Sequence, residues 1–384
     1  RGIIAVIIIL SQFITLFFDK SNLLYYYTIM TIKIDGSYGE GGGQILRTSL
    51  SLSCVTKRPI EIFNIRKGRK KPGLQPQHLT CVKAAQTISD AEVQGAALQS
   101  QNLVFIPKKI KAGDYFFDVG EKRGSAGSVS LVLQTLLLPL FYTDAPSTVT
   151  IVGGTHVPWS PPFHYLKDVF GAVISKMGYN IDLDIERWGW YPIGGGKIRA
   201  VINPAKALHE INIAEKGKLK AVTGISAVSN LPLSIAERQR DKGLSLLNKK
   251  GIEADIDIIN APSYGKGTFF FLLAEFENSV AGFSSLGAIG KKAEEVAGEA
   301  CKEFFDFIEA KGAIDPHLSD QLILYMAMAR RESRFTTSQI TQHLLTNIWA
   351  IKHFLPVEIK IEDINGGGRI TVMPSDVSLE VPVH

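Results

Sequence analysis

Cysteine is scarce and unpaired in this chain. Cys54, Cys81 and Cys301 are three among 384 residues. So odd and scattered a set, with no Cys-x-x-Cys, argues against a disulfide framework and a cysteine zinc site, and it fits a reducing, cytoplasmic setting. A strong excess of either charge is missing too: 42 Lys and Arg stand against 37 Asp and Glu, a formal net charge of +5. Proteins that coat nucleic acid are usually more basic, so this balance permits a polyanionic partner without demanding one. The sequence has no G-x-x-x-x-G-K-[ST] and no complete G-x-G-x-x-G. A P-loop and a dinucleotide fingerprint are therefore excluded as sources of phosphate binding.

With 45% hydrophobic and 21% charged residues, the composition is that of a globular protein with material for a sizeable core. The length suits two or three domains, or one large domain carrying an insertion. One long apolar run, Ile3 to Phe18, precedes charge and Tyr25-Tyr26-Tyr27. It is slightly short for a spanning helix and lacks the small-residue cleavage site of a signal peptide. Met30 opens TIKIDG, which reads at once as a strand. Residues 1–29 are expected to be an extension outside the fold, with a membrane anchor as the rival reading; no stable membrane partner is expected.

A repeated unit runs through the rest. Its first half is a Gly- or Ser-rich turn opening an apolar helix: Gly39–Ser53, Gly124–Leu140 and, more loosely, Asp315–Ala329. Its second half is a helix entered by a Pro- or Ser-rich stretch and marked by a histidine: His78, His164 and His343. QHLTCVKA and QHLLTNIWA are the closest internal match. Between the helices, alternation predicts strands at Ile60–Ile65, Asn102–Ile106, Thr148–Val152, Gly196–Ile202, Glu358–Glu362 and Arg369–Val372. Units of this length bury their helices against a small sheet and lean on their neighbours. From about 209 to 311 the pattern breaks. Strand (Leu219–Ser226), helix (Ser234–Lys250), strands (Ala254–Ile259, Thr268–Phe276) and a long helix (Gly290–Lys311) read as a separate unit inserted between the second and third copies.

Several constellations carry chemistry. Gly39-Glu40-Gly41-Gly42-Gly43-Gln44 joins a strand to a helix, where free N–H groups favour phosphate. A glutamate inside such a turn points to a metal or hydroxyl contact instead. The run Arg66-Lys67-Gly68-Arg69-Lys70-Lys71 crowds cations around one glycine, and arginine suits bidentate phosphate contacts. With Arg47 one helical turn from the glycines and Gln77 just beyond, a phosphate or RNA-backbone site is expected. His156–Pro162 is a rigid loop with an aromatic, Trp159, that could wall a base or nucleotide pocket. Pro316 takes the first position of a helix in which Asp320 reads as a helix-start residue. His343 lies in a helix expected to be capped near Thr337–Ser338, with Thr346 and Asn347 on its face; taken alone, a helical histidine is more often structural. Lys33-Ile34-Asp35-Gly36 matches K-x-D-G, the lysine motif of ATP-dependent ligases, but is read as strand plus turn, with the ligase a minor rival.

Together, DGSYGEGGGQILR, RKGRKKPGLQPQH, GSAGS with LVLQT, SPP, HLSDQL and QHLLTN resemble the RNA 3′-terminal phosphate cyclase family, from about Met30 to Val372. The resemblance implies an α/β (α+β) fold: a large domain of three two-helix, small-sheet units like those of enolpyruvyl transferases (30–208 and 312–384), with a smaller α/β domain inserted (209–311). It implies ATP-dependent conversion of an RNA 3′-phosphate to a 2′,3′-cyclic phosphate through a histidine–AMP intermediate. His343 would be the nucleophile; Glu40, Arg47 and Arg69 would act beside it, Glu40 also on Mg²⁺ or another divalent cation. Gln134, Pro161, His317, Asp320 and Gln321 would line the ATP site, and Gln77, Arg66 and Lys70 would meet the RNA. RNA 3′ ends and ATP are the expected partners, and a homo-oligomer is compatible. The alternative is a non-catalytic, cyclase-like ribosome-assembly protein.

Overall fold

The computed structural model describes residues 31–120, 126–205, 208–364 and 366–374. The expected 1–29 extension and Gly124-Ser125 of the second turn lie outside them.

The first unit runs β1 (Ile32–Asp35), α1 (Gly43–Thr56), β2 (Ile60–Phe63), α2 (Pro76–Ser89), β3 (Glu92–Gln94) and β4 (Leu103–Ile106). The second runs β5 (Asp114–Asp118), α3 (Val129–Phe141), β6 (Ser147–Gly153), a π-helical turn (Tyr165–Phe170) continuing into α4 (Gly171–Lys176), β7 (Ile181–Arg187) and β8 (Gly196–Ile202). The third opens with β9 (Asn212–Ile213). Then come β10 (Leu219–Ser229), α5 (Leu233–Lys249), β11 (Asp255–Asn260), β12 (Gly267–Phe276), β13 (Val280–Leu286) and α6 (Ala293–Glu309). The third unit resumes with α7 (Pro316–Met326), β14 (Ser333–Thr337), α8 (Gln342–Phe354), β15 (Val357–Asp363) and β16 (Gly368–Pro374).

The sheet orders are β1-β2-β4-β3, β5-β6-β8-β7 and β9-β14-β16-β15. In each the first pair is parallel and the other two are antiparallel. The architecture is therefore α/β, with one βαβαββ plan used three times. The expected position of the insertion is corrected: β10–α6 falls inside the third unit, after its first strand, because β9 pairs with β14 in that unit's sheet. Two residues of strand carry too little periodicity to be seen in sequence.

Helices from different units meet in the middle. α1 packs on α2, α3 and α8, and α7 packs on α8. Its SLSLS stretch alternates as a strand would, yet Ser49, Ser51 and Ser53 are buried alongside Leu50 and Leu52. Small side chains on a helix surrounded on several sides let its neighbours approach closely.

β12 shows how the inserted unit attaches. Phe270, Leu272 and Ala274 face α5 and α6 in a cluster of their own with Phe304 and Phe307. The alternate residues Phe269 and Phe271 join the large core, where Phe269 meets His156, His164 and Trp188. A period of two thus gives one strand two cores. β13 was not foreseen because VAGFSSL is buried on both faces and shows no alternation. Phe304→Ala should lower the unfolding free energy of the β10–α6 unit by about 3–5 kcal/mol. Urea unfolding followed by circular dichroism checks it; a change below about 1 kcal/mol would mean that the second cluster does not stabilise this unit.

Candidate active site

β1 ends at Asp35, whose carboxylate accepts from Ser37 N and Oγ at 2.9 and 2.7 Å and so shapes the turn. Gly39 and Gly41 have positive φ, 55° and 58°, which residues with a Cβ adopt at a cost. A Cβ on Gly39 would stand 2.5 Å from Thr346 Oγ1 on α8, so glycine lets the turn and α8 touch. Gly42 caps α1 with no side-chain hydrogen bond, and the helix start keeps N–H groups for an anion. Tyr38 stacks on Trp349 with ring centroids 4.0 Å apart, fastening the turn to α8 from outside.

Glu40 is the hub. Its Oε1 pairs with the Arg69 guanidinium, which also donates to Glu40 O at 2.9 Å. Its Oε2 lies 2.7 Å from His343 Nδ1, and Gln44 Oε1 lies 2.8 Å from that same nitrogen. A carboxylate only accepts, so Nδ1 carries the proton and the neutral ring keeps its lone pair on Nε2. The imidazole is half-exposed. The hydrogen bond to Glu40 raises the His343 pKa above its ordinary 6.5, against the opposing effect of burial. Glu40 is held below its usual range, first by His343 and also by Arg69.

α8 begins at Thr341, not near Thr337–Ser338: Thr341 Oγ1 accepts from Leu344 N at 3.0 Å. Thr346 Oγ1 accepts from Glu40 N at 3.4 Å. Asn347 accepts from Thr48 Oγ1 at 2.7 Å and donates to Asp320 O at 2.6 Å, tying α8 to α1 and α7.

Asp320 does not cap α7. Asp315 does, accepting from His317 N and Leu318 N at 2.9 and 3.0 Å, with Pro316 next. Asp320 sits within the charge field of His343, His317 and Arg47, and burial pushes its carboxyl up to about 7. Burial lowers the pKa of Arg47, while the charges of Asp320 and Glu40 support its cation. Beside Arg47, His78 closes the space under Gly43; burial lowers its pKa to about 3, so it is neutral.

The other expected residues take distinct positions. Gln134 donates to Gln321 Oε1 at 2.6 Å, and Gln321 donates to His317 O at 2.8 Å, linking α3 to α7. Gln77 Oε1 accepts from Ser128 N at 2.8 Å at the start of α3. Arg66 directs its guanidinium to Lys71 O and Gly73 O at 2.6 and 3.0 Å, within its own loop. Lys70 is exposed there, and Pro161 is half-buried in the loop after β6. Lys33 is outward-facing on β1, 3.7 Å from Glu61. Gln44 was quoted in the motif but not foreseen as a partner of His343; its one signal was its place in the first turn of α1. Among the described residues no group of three or more His, Cys, Asp or Glu gathers as a metal cage.

In wild type, imidazole NMR should give a His343 pKa above 6.5, and Glu40→Gln should lower it, since removing the carboxylate charge favours the neutral ring. An unchanged or raised value in the variant would mean that Glu40 does not hold the imidazolium.

A family described as RNA 3′-terminal phosphate cyclase matches residues 38–361. A protein of Methylococcus capsulatus named RNA 3′-terminal phosphate cyclase is 44% identical over 344 residues, covering 88% of this chain and 95% of that relative. Relatives of the same name from Gloeothece citriformis and Pyrobaculum neutrophilum are 43% and 44% identical and cover 86% and 87% of the chain.

Proposed function

The chain belongs to the RNA 3′-terminal phosphate cyclase family, and from that premise we propose that it uses ATP to turn an RNA 3′-phosphate into a 2′,3′-cyclic phosphate through an adenylated His343. One observation carries the histidine step: Nδ1 lies between two acceptors, Glu40 and Gln44, leaving the lone pair on Nε2 of a half-exposed imidazole.

A phosphate monoester is a poor electrophile, because its charge repels nucleophiles and oxide leaves badly. Nucleophilic catalysis divides the problem into easier steps. Nε2 attacks the α-phosphorus of ATP, the N–P bond forms and the bond to pyrophosphate breaks. An oxygen of the RNA 3′-phosphate then attacks the adenylyl phosphorus, releasing His343 and joining AMP to the RNA end. The 2′-oxygen closes onto the terminal phosphorus, its proton is lost, and AMP leaves. That last attack is intramolecular, with a high effective concentration. Glu40 orients the imidazole and stabilises its positive charge as the N–P bond forms, much as a carboxylate serves a histidine base. Arg69 and Arg47 offset phosphate charge beside the start of α1. Gln134, Gln321, His317, Asp320 and Pro161 are proposed for the ATP side, and Gln77, Arg66 and Lys70 for the RNA.

One carboxylate beside a helix start fits a magnesium ion held mainly by phosphate oxygens, not a protein cage. Glu40 is the residue that would touch it, and the ion would offset triphosphate charge.

The competing ligase reading through Lys33 is disfavoured by that side chain's outward position and its pairing with Glu61. The non-catalytic reading is disfavoured by the available Nε2.

Intact-mass spectrometry after incubation with ATP and Mg²⁺ tests the proposal. An AMP adduct is expected in wild type and Lys33→Ala and not in His343→Ala; an adduct surviving in His343→Ala would overturn the assignment. The adenylation rate should also rise with pH through the titration of His343, because the imidazolium has no lone pair on Nε2. A flat or falling profile across that range would contradict Nε2 attack.

A further inference from the structure

A chain of contacts leads away from Gln77. Gln77 bonds Ser128 N, Ser128 forms a bridge to Gly154, and Thr155 N donates to Gly189 O at 3.0 Å. Next to Gly189, Trp190 bridges His156. Gly154, His156, Gly189 and Trp190 follow β6 and β7 of the second unit and are reached from Gln77, on α2 of the first unit, through the start of α3.

At this end the molecule leaves large aromatic rings in solvent. Trp159 is 97% exposed, Tyr191 70% and Tyr264 67%. Trp188 and Trp190 beside them are buried, so the core at this end is filled without the outward rings. The loop before β8 and the loop before β12 are built against each other: Trp188 N donates to Pro262 O at 2.8 Å, and Gly195 leaves room for the Tyr264 ring. Arg187 is fixed between them. Its Nε donates to Gly195 O at 2.6 Å, and its guanidinium lies 4.1 Å over the Tyr264 ring. Arg187, Tyr264, Asn230 and Asn260 line an open cavity of about 430 Å³. Lys266 is exposed on the adjoining loop, and Lys197 pairs with Glu186 nearby.

Aromatic faces beside a fixed arginine and an exposed lysine, with amides around a cavity, suit single-stranded nucleic acid: bases stack on rings whatever their sequence, and cations follow the phosphates. We propose that this face, formed by Tyr191, Tyr264, Arg187, Lys266 and Trp159, binds the RNA nucleotides upstream of the 3′ end while that end reacts at His343. The inference rests on the cyclase reading. It gives the β10–α6 unit a role, since Tyr264 and Lys266 come from it and Arg187 and Tyr191 come from the second repeat.

The test compares cyclisation of a trinucleotide and a dodecamer RNA 3′-phosphate by wild type, Tyr191→Ala/Tyr264→Ala and Tyr191→Phe/Tyr264→Phe. For the alanine pair, KM for the dodecamer should rise about tenfold or more with kcat kept, while the trinucleotide KM and the AMP adduct stay as in wild type. The phenylalanine pair should behave as wild type, because the ring faces do the stacking. Equal effects on both lengths, or none on either, would overturn this surface and leave the cyclase reading standing. Failure of wild type to cyclise either RNA would remove the cyclase reading and this inference with it.

Discussion

Glu40 meets Arg69 on one side and His343 on the other, and most of the site's behaviour follows from that carboxylate. It joins the turn after β1, the loop after β2 and the first turn of α8, three segments far apart in the chain. Ionised, it decides which imidazole nitrogen holds the proton. It also offsets the charge of Arg47, which disfavours the imidazolium of His343. The glycines around it have a shared reason: Gly39 and Gly41 take positive φ, and Gly39 and Gly43 leave room for Thr346 and His78.

The repeated βαβαββ plan explains why the site lies where it does. Each unit packs its sheet against helices, some of them from a neighbouring unit, and the helices of different units cover one another around α1. The histidine-marked second helices begin at comparable positions but serve differently. His78 is buried and neutral beneath Gly43. His164 is buried too, bonded through Nδ1 to His156 Nε2 at 3.0 Å against the inserted sheet, and burial lowers its pKa to about 4. His343 is the one of the three that reaches solvent with a carboxylate behind it. One repeated pattern thus yields two buried packing histidines and one half-exposed histidine backed by a carboxylate.

The limits of legibility follow the same physics. Helices with apolar faces and strands with clear alternation, such as β6, β8 and β16, were readable because a single face meets the core. β13 is covered on both sides and β9 is two residues long, so neither announced itself. The cap of α8 was displaced because Thr337, Ser338 and Thr341 all stand before that helix, and packing chooses Thr341.

Sequence alone determined the chemical inventory: a glycine turn carrying Glu40, a cationic loop carrying Arg69, a helix carrying His343, the repeated units and the foreign stretch interrupting them. These are local properties, set by residue type and period along the chain. Only the tertiary structure decided that the insertion lies within the third unit, that Lys33 faces away, that Gln44 shares the His343 proton with Glu40, and that the loops carrying Tyr191 and Tyr264 meet. Each of those depends on which segments touch, and contact between distant segments is set by the packing of helices and sheets, which no short stretch of sequence contains.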